Sequence, residues 1–169
     1  MNFEDLMVEL ENGVKTIDLL ISCVTQLEAR YKPSPDTRSI LEVMAHFYDE
    51  EREDFRPRLA IILERPETAW SRIDPDGWVI ERNYNDRDLI ETWNAFKLER
   101  ENTLAWLRGL GRVDWEAQYM APFGVIKAGD MLAAWVAHDL LHIRQLVELR
   151  WTRLVNLVQP YSLNYAGDW

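Results

Sequence analysis

Cysteine and long apolar runs are almost missing from this sequence, and each absence excludes a class of protein. The 169 residues include one cysteine, Cys23, so no disulfide can form within the chain. The N-terminal residues MNFEDLMVELEN lack the basic region and the apolar run of a secretory signal. No stretch approaches the roughly 20 uninterrupted apolar residues that span a bilayer. We therefore expect a cytoplasmic protein that does not cross a membrane.

Basic residues are also few relative to acidic residues. The chain has 19 Lys and Arg residues against 29 Asp and Glu residues, which gives a formal net charge of −10 at pH 7. Because nucleic-acid affinity comes largely from clustered Lys and Arg side chains that neutralise phosphates, we expect no nucleic-acid ligand. Apolar residues make up 47% of the chain and charged residues 28%, which is typical of globular proteins. The length fits a single domain, residues 1–169, with a substantial hydrophobic core.

Apolar residues recur at spacings of three and four in four long segments, which predicts four amphipathic helices. These helices are expected to span about residues 2–29, 38–64, 86–109 and 129–151. Pro57 is expected to kink or restart the second helix, because proline cannot donate a backbone hydrogen bond. The predicted fold is therefore all-α, a four-helix bundle with long connections between helices.

Capping residues and helix breakers mark the predicted ends. Asp36 or Thr37 is expected to cap the second helix, and Asn85 the third. Residues 66–85 are predicted to form an extended connection with a short strand or turn around WVIERNY, and residues 112–128 a second loop. The tail from about residue 152 to 169 is predicted to be irregular.

Histidine is rare, and two of the three histidines stand four residues apart. His138 and His142 lie in the predicted fourth helix, where a spacing of four places side chains about 40° apart on one face. The run HDLLH differs from the zinc-protease motif HExxH in having Asp139 in place of glutamate. Asp139 is therefore a candidate general base, although its side chain is one methylene shorter.

The third histidine, His46, lies in the predicted second helix beside apolar residues. Taken alone, such a histidine is more often a core residue than a ligand, and an HxxxH pair also occurs on ordinary surfaces. However, the chain contains no other histidine. Three neutral imidazoles with an open position are typical of a catalytic metal site, so we predict that His46, His138 and His142 bind one divalent ion.

Polar neighbours of the histidines have both functional and structural interpretations. Glu50 shares the helical face of His46 and is a candidate fourth ligand or acid–base group, although runs such as DEERED usually form solvated faces. Asp139 can instead orient a neighbour or pair with Arg144. Gln145 is a candidate hydrogen-bond donor to a bound substrate, although interhelical hydrogen bonding is the favoured role. Cys23 is expected to be a small buried hydrophobe and not a nucleophile.

Several segments together resemble the DinB/YfiT-like family of bacterial proteins. They are His46 in the second helix, HDLLHIRQL with Gln145, WLRGLGRVDW, PFGVIKAGDML and the PYSLNYAGDW tail. The resemblance covers nearly the whole chain. It implies a four-helix bundle, often a homodimer, that holds a divalent metal, commonly nickel or zinc, through three histidines that match His46, His138 and His142.

The resemblance also implies a reaction class. Some relatives are thiol-dependent transferases, in which the metal activates a low-molecular-weight thiol such as mycothiol or bacillithiol. We therefore predict a metal-dependent thiol transferase with a small-molecule substrate. Two alternatives stay open: a hydrolase that uses metal-bound water with Asp139 or Glu50 as base, and a non-catalytic, metal-stabilised, stress-related dimer.

Overall fold

The protein is a bundle of four long helical segments. The computed structural model describes residues 3–167. The long segments are α1 (Phe3–Ile21), α3 (Ile40–Glu50) continued by a π-helical turn (Glu51–Phe55) and α4 (Arg56–Glu64), α6 (Leu89–Gly109) and α7 (Ala128–Leu157). Helix α1 packs along α7 and α3 along α6. The predicted four-helix bundle is confirmed.

Short elements connect the long helices. They are α2 (Gln26–Ala29), α5 (Gly77–Glu81), 3-10 turns at Tyr84–Asp86 and Asn164–Ala166, and the strands β1 (Gln118–Ala121) and β2 (Gly124–Lys127). The strands form an antiparallel hairpin in which Gln118 lies opposite Lys127. Among residues 3–167, no helix has both the length and the apolar character needed to cross a membrane.

The first helix ends earlier than predicted. Helix α1 stops at Ile21, and Thr25 caps α2 by accepting a hydrogen bond from the backbone of Glu28. The predicted end at residue 29 was wrong. Val24 and Leu27 continue the apolar spacing of α1, but this spacing does not reflect burial there, since Leu27 is exposed to solvent. Residue 2, where the helix was predicted to begin, lies outside the described residues.

The second helix starts and bends at other residues than predicted. Ser39, and not Asp36 or Thr37, is the N-cap: its hydroxyl accepts a 3.0 Å hydrogen bond from the backbone of Glu42. The helix is distorted at the π-helical turn, which contains one extra residue per turn. Pro57 follows in the first turn of α4, where its missing N–H is tolerated.

The remaining boundaries also differ from the predictions. Asp88 caps α6 in place of Asn85, because its carboxylate accepts a 2.9 Å hydrogen bond from the backbone of Glu91. The connection between α4 and α6 contains α5 and no strand among its described residues. The second predicted loop contains the hairpin of β1 and β2. Helix α7 continues to Leu157, and residues 168–169 of the predicted tail lie outside the described residues.

A buried polar layer divides the hydrophobic core. One apolar cluster includes Leu10, Leu59, Leu107 and Leu132, and a second includes Ile17, Phe47, Phe96 and Leu146. On each long segment, polar or small residues lie between the parts that contribute to these two clusters. They are Gly13 on α1, Glu50 at the end of α3, Glu51 in the π-helical turn, Arg100 on α6, and His138, Asp139 and His142 on α7. The polar layer thus lies across the middle of the bundle.

Candidate metal centre

The three histidines meet between α3 and α7. His46 Nε2 lies 3.2 Å from His138 Nε2, and one nitrogen of each of the three rings lies within 4.8 Å of the others. The spacing of four on α7 places the rings of His138 and His142 with their centroids 4.4 Å apart. The predicted convergence of the three imidazoles is therefore observed, and the cluster can hold a metal ion.

Burial keeps these imidazoles neutral. It lowers the pKa of His46 to about 2, assisted by His142, the Arg38 guanidinium and His138. Burial also lowers the pKa of His138 to about 3 and shifts the pKa of His142 downward. A metal ligand must be deprotonated, so at neutral pH the rings are in the form that binds a divalent ion without competition from protons.

The tautomer of His142 also suits a metal ligand. The carbonyl oxygen Oε1 of Gln145 accepts a 2.8 Å hydrogen bond from Nδ1–H of His142. Because a carbonyl oxygen can only accept, Nδ1 carries the proton and the Nε2 lone pair is free. Hydrogen bonds of this type orient the histidine ligands of metal sites. Gln145 therefore bonds within its own helix, and the prediction of an interhelical bond was wrong.

Two phenylalanines form the apolar wall of the cluster. Phe47 packs edge-on against His142 with ring centroids 5.4 Å apart, and Phe55 lies 4.9 Å from His138. Phe55 belongs to the π-helical turn and also stacks on Trp135. These ring contacts restrict the orientations of the two imidazoles.

Glu50 lies next to His46 with one oxygen of its carboxyl group unsatisfied. Its Oε1 lies 3.9 Å from His46 Nδ1. Both atoms are buried, and neither has a hydrogen-bond partner among the described residues. Burial and the nearby Asp54 carboxylate raise the pKa of Glu50 to about 8. Glu50 is therefore placed to exchange a proton near neutral pH beside the histidine cluster.

The acidic run around Glu50 is buried, which contradicts the usual interpretation of such runs as solvated faces. Asp49, Glu50, Glu51 and Asp54 are all at most 8% exposed. Arginine side chains pair with most of them, and a tyrosine hydroxyl donates to one. Asp49 accepts from Tyr84 and pairs with Arg82 and Arg87, Glu51 pairs with Arg100, and Asp54 with Arg58. Glu50 differs from its neighbours because no cation pairs with it in the described residues.

Asp139 faces away from the histidines. Its carboxylate accepts 2.6 and 3.0 Å hydrogen bonds from the buried guanidinium of Arg100, whereas Arg144 pairs with Glu148. The expected pair with Arg144 was therefore wrong. Asp139 lines a narrow groove beside Gly13 and does not line the cavity above the histidines. Its geometry fits a structural role better than the predicted general base.

Arg100 is the buried residue that the sequence analysis missed. Its guanidinium makes a bidentate pair with Glu51, at 2.8 and 2.9 Å, in addition to the pair with Asp139. Burial disfavours its charge, but the two carboxylates raise the pKa of Arg100 above its ordinary value. The apolar spacing of α6 could have identified it. Arg100 lies within the buried stripe formed by Trp93, Phe96, Leu104 and Leu107.

An open cavity of about 670 Å³ lies above the histidine cluster. The three histidines, Glu50 and Gln145 line it together with Arg38 and residues of two connections. These further lining residues are Asp36, Thr37, Pro75 and Asp76. Arg38 is the one cationic side chain among the described lining residues. The cavity thus gives a small molecule access to the cluster.

Cys23 is not part of this site. It lies in the turn after α1, is exposed, and lines a separate pocket beside the C-terminal half of α7. The expectation of a buried position was wrong because α1 ends two residues before Cys23. Among the described lining residues of the cavity above the histidines there is no cysteine, serine or lysine.

Fold and site together define a four-helix bundle protein with a three-histidine cluster that can hold a metal ion. The family model of the DinB superfamily matches residues 9–146. The chain belongs to the DinB superfamily, as its motifs suggested.

A solved structure supports the same fold. The chain is similar to YfiT from Bacillus subtilis, which is described as a probable metal-dependent hydrolase with an unusual four-helix bundle topology. The TM-score is 0.77 at 17% sequence identity, and the likeness covers 88% of this chain and 87% of YfiT. At this identity the likeness shows the fold alone. No curated protein matches the sequence significantly.

Proposed function

We propose that this protein is a metal-dependent enzyme that transfers a low-molecular-weight thiol to an electrophilic small molecule. The observation that carries the proposal is the histidine cluster at an open cavity whose described lining residues include no thiol, amine or serine nucleophile. A cosubstrate thiol supplies the nucleophile that the chain lacks. A cavity of about 670 Å³ admits a cosubstrate of this size.

His46, His138 and His142 are the residues that would hold the ion. Three neutral imidazoles accept zinc or nickel, which are the metals that the family resemblance implies. A divalent ion held by them supplies a Lewis acid that lowers the pKa of a coordinated thiol or water. Gln145 keeps His142 in the tautomer that has Nε2 free, and Phe47 shields that ring from solvent on one side.

Glu50 is proposed as the proton acceptor. Its carboxyl lines the cavity, and its raised pKa, about 8, is close to the operating pH. A base with this pKa can take the proton of an incoming thiol at Oε1; the new C–S bond forms as the bond to the leaving group breaks, and the proton departs with the leaving group or to solvent. Asp139, the other candidate base, is occupied by Arg100.

Hydrolysis is the second candidate, and Glu50 also supports it. A buried carboxyl with an unsatisfied oxygen beside a metal site can equally accept a proton from water. YfiT, whose fold this chain shares, is described as a probable metal-dependent hydrolase. The two reactions differ in the nucleophile that enters the product and use the same residues of the chain.

Turnover of an activated aryl halide and of an activated ester by the zinc- or nickel-loaded protein tests the proposal. We expect a thioether product whose formation depends on added thiol, with Glu50→Gln lowering the rate about 10²-fold and retaining the metal. Arg108→Met, at an exposed residue that is not among the lining residues of the cavity, is the control. Ester hydrolysis without thiol would favour the second candidate, and no turnover of either substrate by the loaded protein would favour a non-catalytic bundle.

Homodimerisation, which the resemblance implies, belongs to the same proposal. Helix α7 exposes Leu140 and Leu141, each more than half accessible in the single chain. Large apolar side chains exposed on a long helix offer surface for a subunit contact. Light scattering should give about twice the chain mass of 20.0 kDa, and the mass of one chain would contradict the dimer.

A further inference from the structure

Arg38 lies at the mouth of the cavity that contains the histidine cluster. It precedes the cap residue of α3 and lines the cavity with His46, His138 and His142. Its side chain is 19% exposed, so the guanidinium is close to solvent and still accessible from the cavity. Its positive charge also contributes to the lowered pKa of each of the three histidines, which agrees with this position.

The partner of Arg38 holds it weakly. A single hydrogen bond of 2.7 Å joins its Nη2 to Oδ1 of Asp76, and the Asp76 side chain is 96% exposed. Ion pairs with a fully hydrated partner contribute little stability, and the carboxylate can return to water at small cost. A guanidinium offers five N–H donors, and this contact uses one of them.

Arg100, the buried arginine of the same fold, is an example of a guanidinium whose donors are all taken up by protein partners. Arg100 is 1% exposed, and two carboxylates and a backbone carbonyl take its donors at 2.6 to 3.1 Å. Arg38 has no comparable set of partners among the described contacts. Its donors therefore remain available to a molecule in the cavity.

We propose that Arg38 binds a carboxylate of the molecule that occupies this cavity, with that carboxylate replacing Asp76. The planar guanidinium matches a carboxylate in a two-bond arrangement, and the open side of the cavity lets the ligand reach it. The substrate class is thus a small carboxylic acid, either the thiol itself or the electrophile. This inference rests on the metal site of the proposed function and specifies its ligand.

The rim acids determine how selective the exchange is. Asp36 and Asp76 are exposed lining residues of the cavity. Their negative charges repel an anionic ligand unless its carboxylate takes the place of Asp76 on Arg38. A cationic ligand would be repelled by Arg38 and attracted only to these hydrated carboxylates. A neutral ligand would leave the Arg38–Asp76 pair unchanged. The three charge types therefore predict three different affinities.

Three thiols of similar size and different charge test the inference with the cobalt-substituted protein. They are 3-mercaptopropionate, 2-mercaptoethanol and cysteamine, and thiolate-to-cobalt absorption reports binding without any need for turnover. We expect 3-mercaptopropionate to bind most tightly to the wild type. Arg38→Met should weaken its binding by about tenfold or more and leave 2-mercaptoethanol nearly unchanged. Asp76→Asn should strengthen binding of 3-mercaptopropionate, because Arg38 loses its competitor.

Controls separate this inference from the proposed function. Arg108→Met, an exposed arginine paired with Glu11, should bind all three thiols as the wild type does. Equal affinity of wild type and Arg38→Met for 3-mercaptopropionate would overturn the role of Arg38 and leave thiol binding intact. If no thiol binds to the cobalt protein, thiol transfer fails, and calorimetric titration of the metal-free protein with acetate and with acetamide then tests Arg38. Acetate binding that is unaffected by Arg38→Met would then overturn the inference.

Discussion

Arg100 Nη1 lies 2.6 Å from Asp139 Oδ2, and this contact joins α6 to the helix that carries His138 and His142. The same guanidinium pairs with Glu51, the first residue of the π-helical turn and the direct neighbour of Glu50. Trp135 also donates to Glu51 from α7, at 3.1 Å. The two helices that supply the histidines are therefore tied together at the level of the cluster by one buried ion network.

Removal of Arg100 should strongly destabilise the fold. Arg100→Met leaves Glu51 and Asp139 buried without their cation, and breaking a buried pair in this way typically costs about 3–5 kcal/mol. Urea unfolding of the metal-free protein measures the change. Arg108→Met removes an exposed pair and should change the free energy of unfolding by less than about 1 kcal/mol. Equal effects of the two substitutions would contradict the structural role of the network.

Gly13 should resist replacement for a related reason. A Cβ at this position would lie 3.0 Å from Oδ2 of Asp139, which Arg100 holds in place. Alanine inside a helix normally stabilises by about 1 kcal/mol relative to glycine. We expect Gly13→Ala to give no such gain and Gly13→Val to destabilise, as measured by thermal unfolding. A full gain for Gly13→Ala would mean that Asp139 moves freely.

The metal-free protein should lose stability as the pH falls below 6.5. The pKa of His46 is about 2 in the folded protein and 6.5 in the unfolded chain, so the unfolded chain binds the extra proton in this range. Each unit of pH then costs about 1.4 kcal/mol for this histidine. His46→Gln should lower the proton uptake on unfolding at pH 5 by about one. If wild type and His46→Gln showed the same slope of unfolding free energy against pH, the burial of His46 as a neutral ring would be contradicted.

Glu50 should have the opposite effect at higher pH. Its pKa is about 8 in the folded protein against 4.5 in the unfolded chain, so the folded protein binds the extra proton between these values. Stability therefore falls as the pH rises from 4.5 through 8. Glu50→Gln should stabilise the metal-free protein by about 1 kcal/mol or more at pH 8.5 and less at pH 5. Urea unfolding at the two pH values measures the change in free energy of unfolding. An equal change at both values would contradict the raised pKa of Glu50.

Spacing along the sequence was sufficient for the histidines and insufficient for the acids beside them. A separation of four residues on one helix brings His138 and His142 together whatever the packing. Asp139 follows His138 directly, and successive residues on a helix point about 100° apart, so its side chain turns toward Arg100 instead. The HDLLH motif therefore correctly placed His138 and His142 in the cluster, whereas it placed Asp139 there wrongly.

Tertiary contacts decided the rest, and these leave little trace in local sequence. Asp49 and Glu51 in the acidic run at the end of α3 pair with arginines from the connection to α6 and from α6 itself. Helix ends depended on which of several polar residues capped them, as with Ser39 and Asp88. The π-helical turn was unexpected because Pro57 offered a simpler cause for a bend.

Cys23 should be dispensable for the proposed chemistry. It is exposed and lines a pocket separate from the histidine cluster. Cys23→Ser should abolish reaction with a thiol reagent and leave metal content and turnover within experimental error of the wild type. Loss of turnover in Cys23→Ser with its metal retained would show that the chain supplies its own nucleophile.

The metal content of the untagged protein tests the central claim most directly. Elemental mass spectrometry should find about one zinc or nickel per chain after purification or reconstitution. The same measurement on His142→Ala should show loss of the ion, whereas Arg108→Met should retain it. A wild-type protein that binds neither metal, or a His142→Ala variant that keeps a full equivalent, would contradict a site built from His46, His138 and His142.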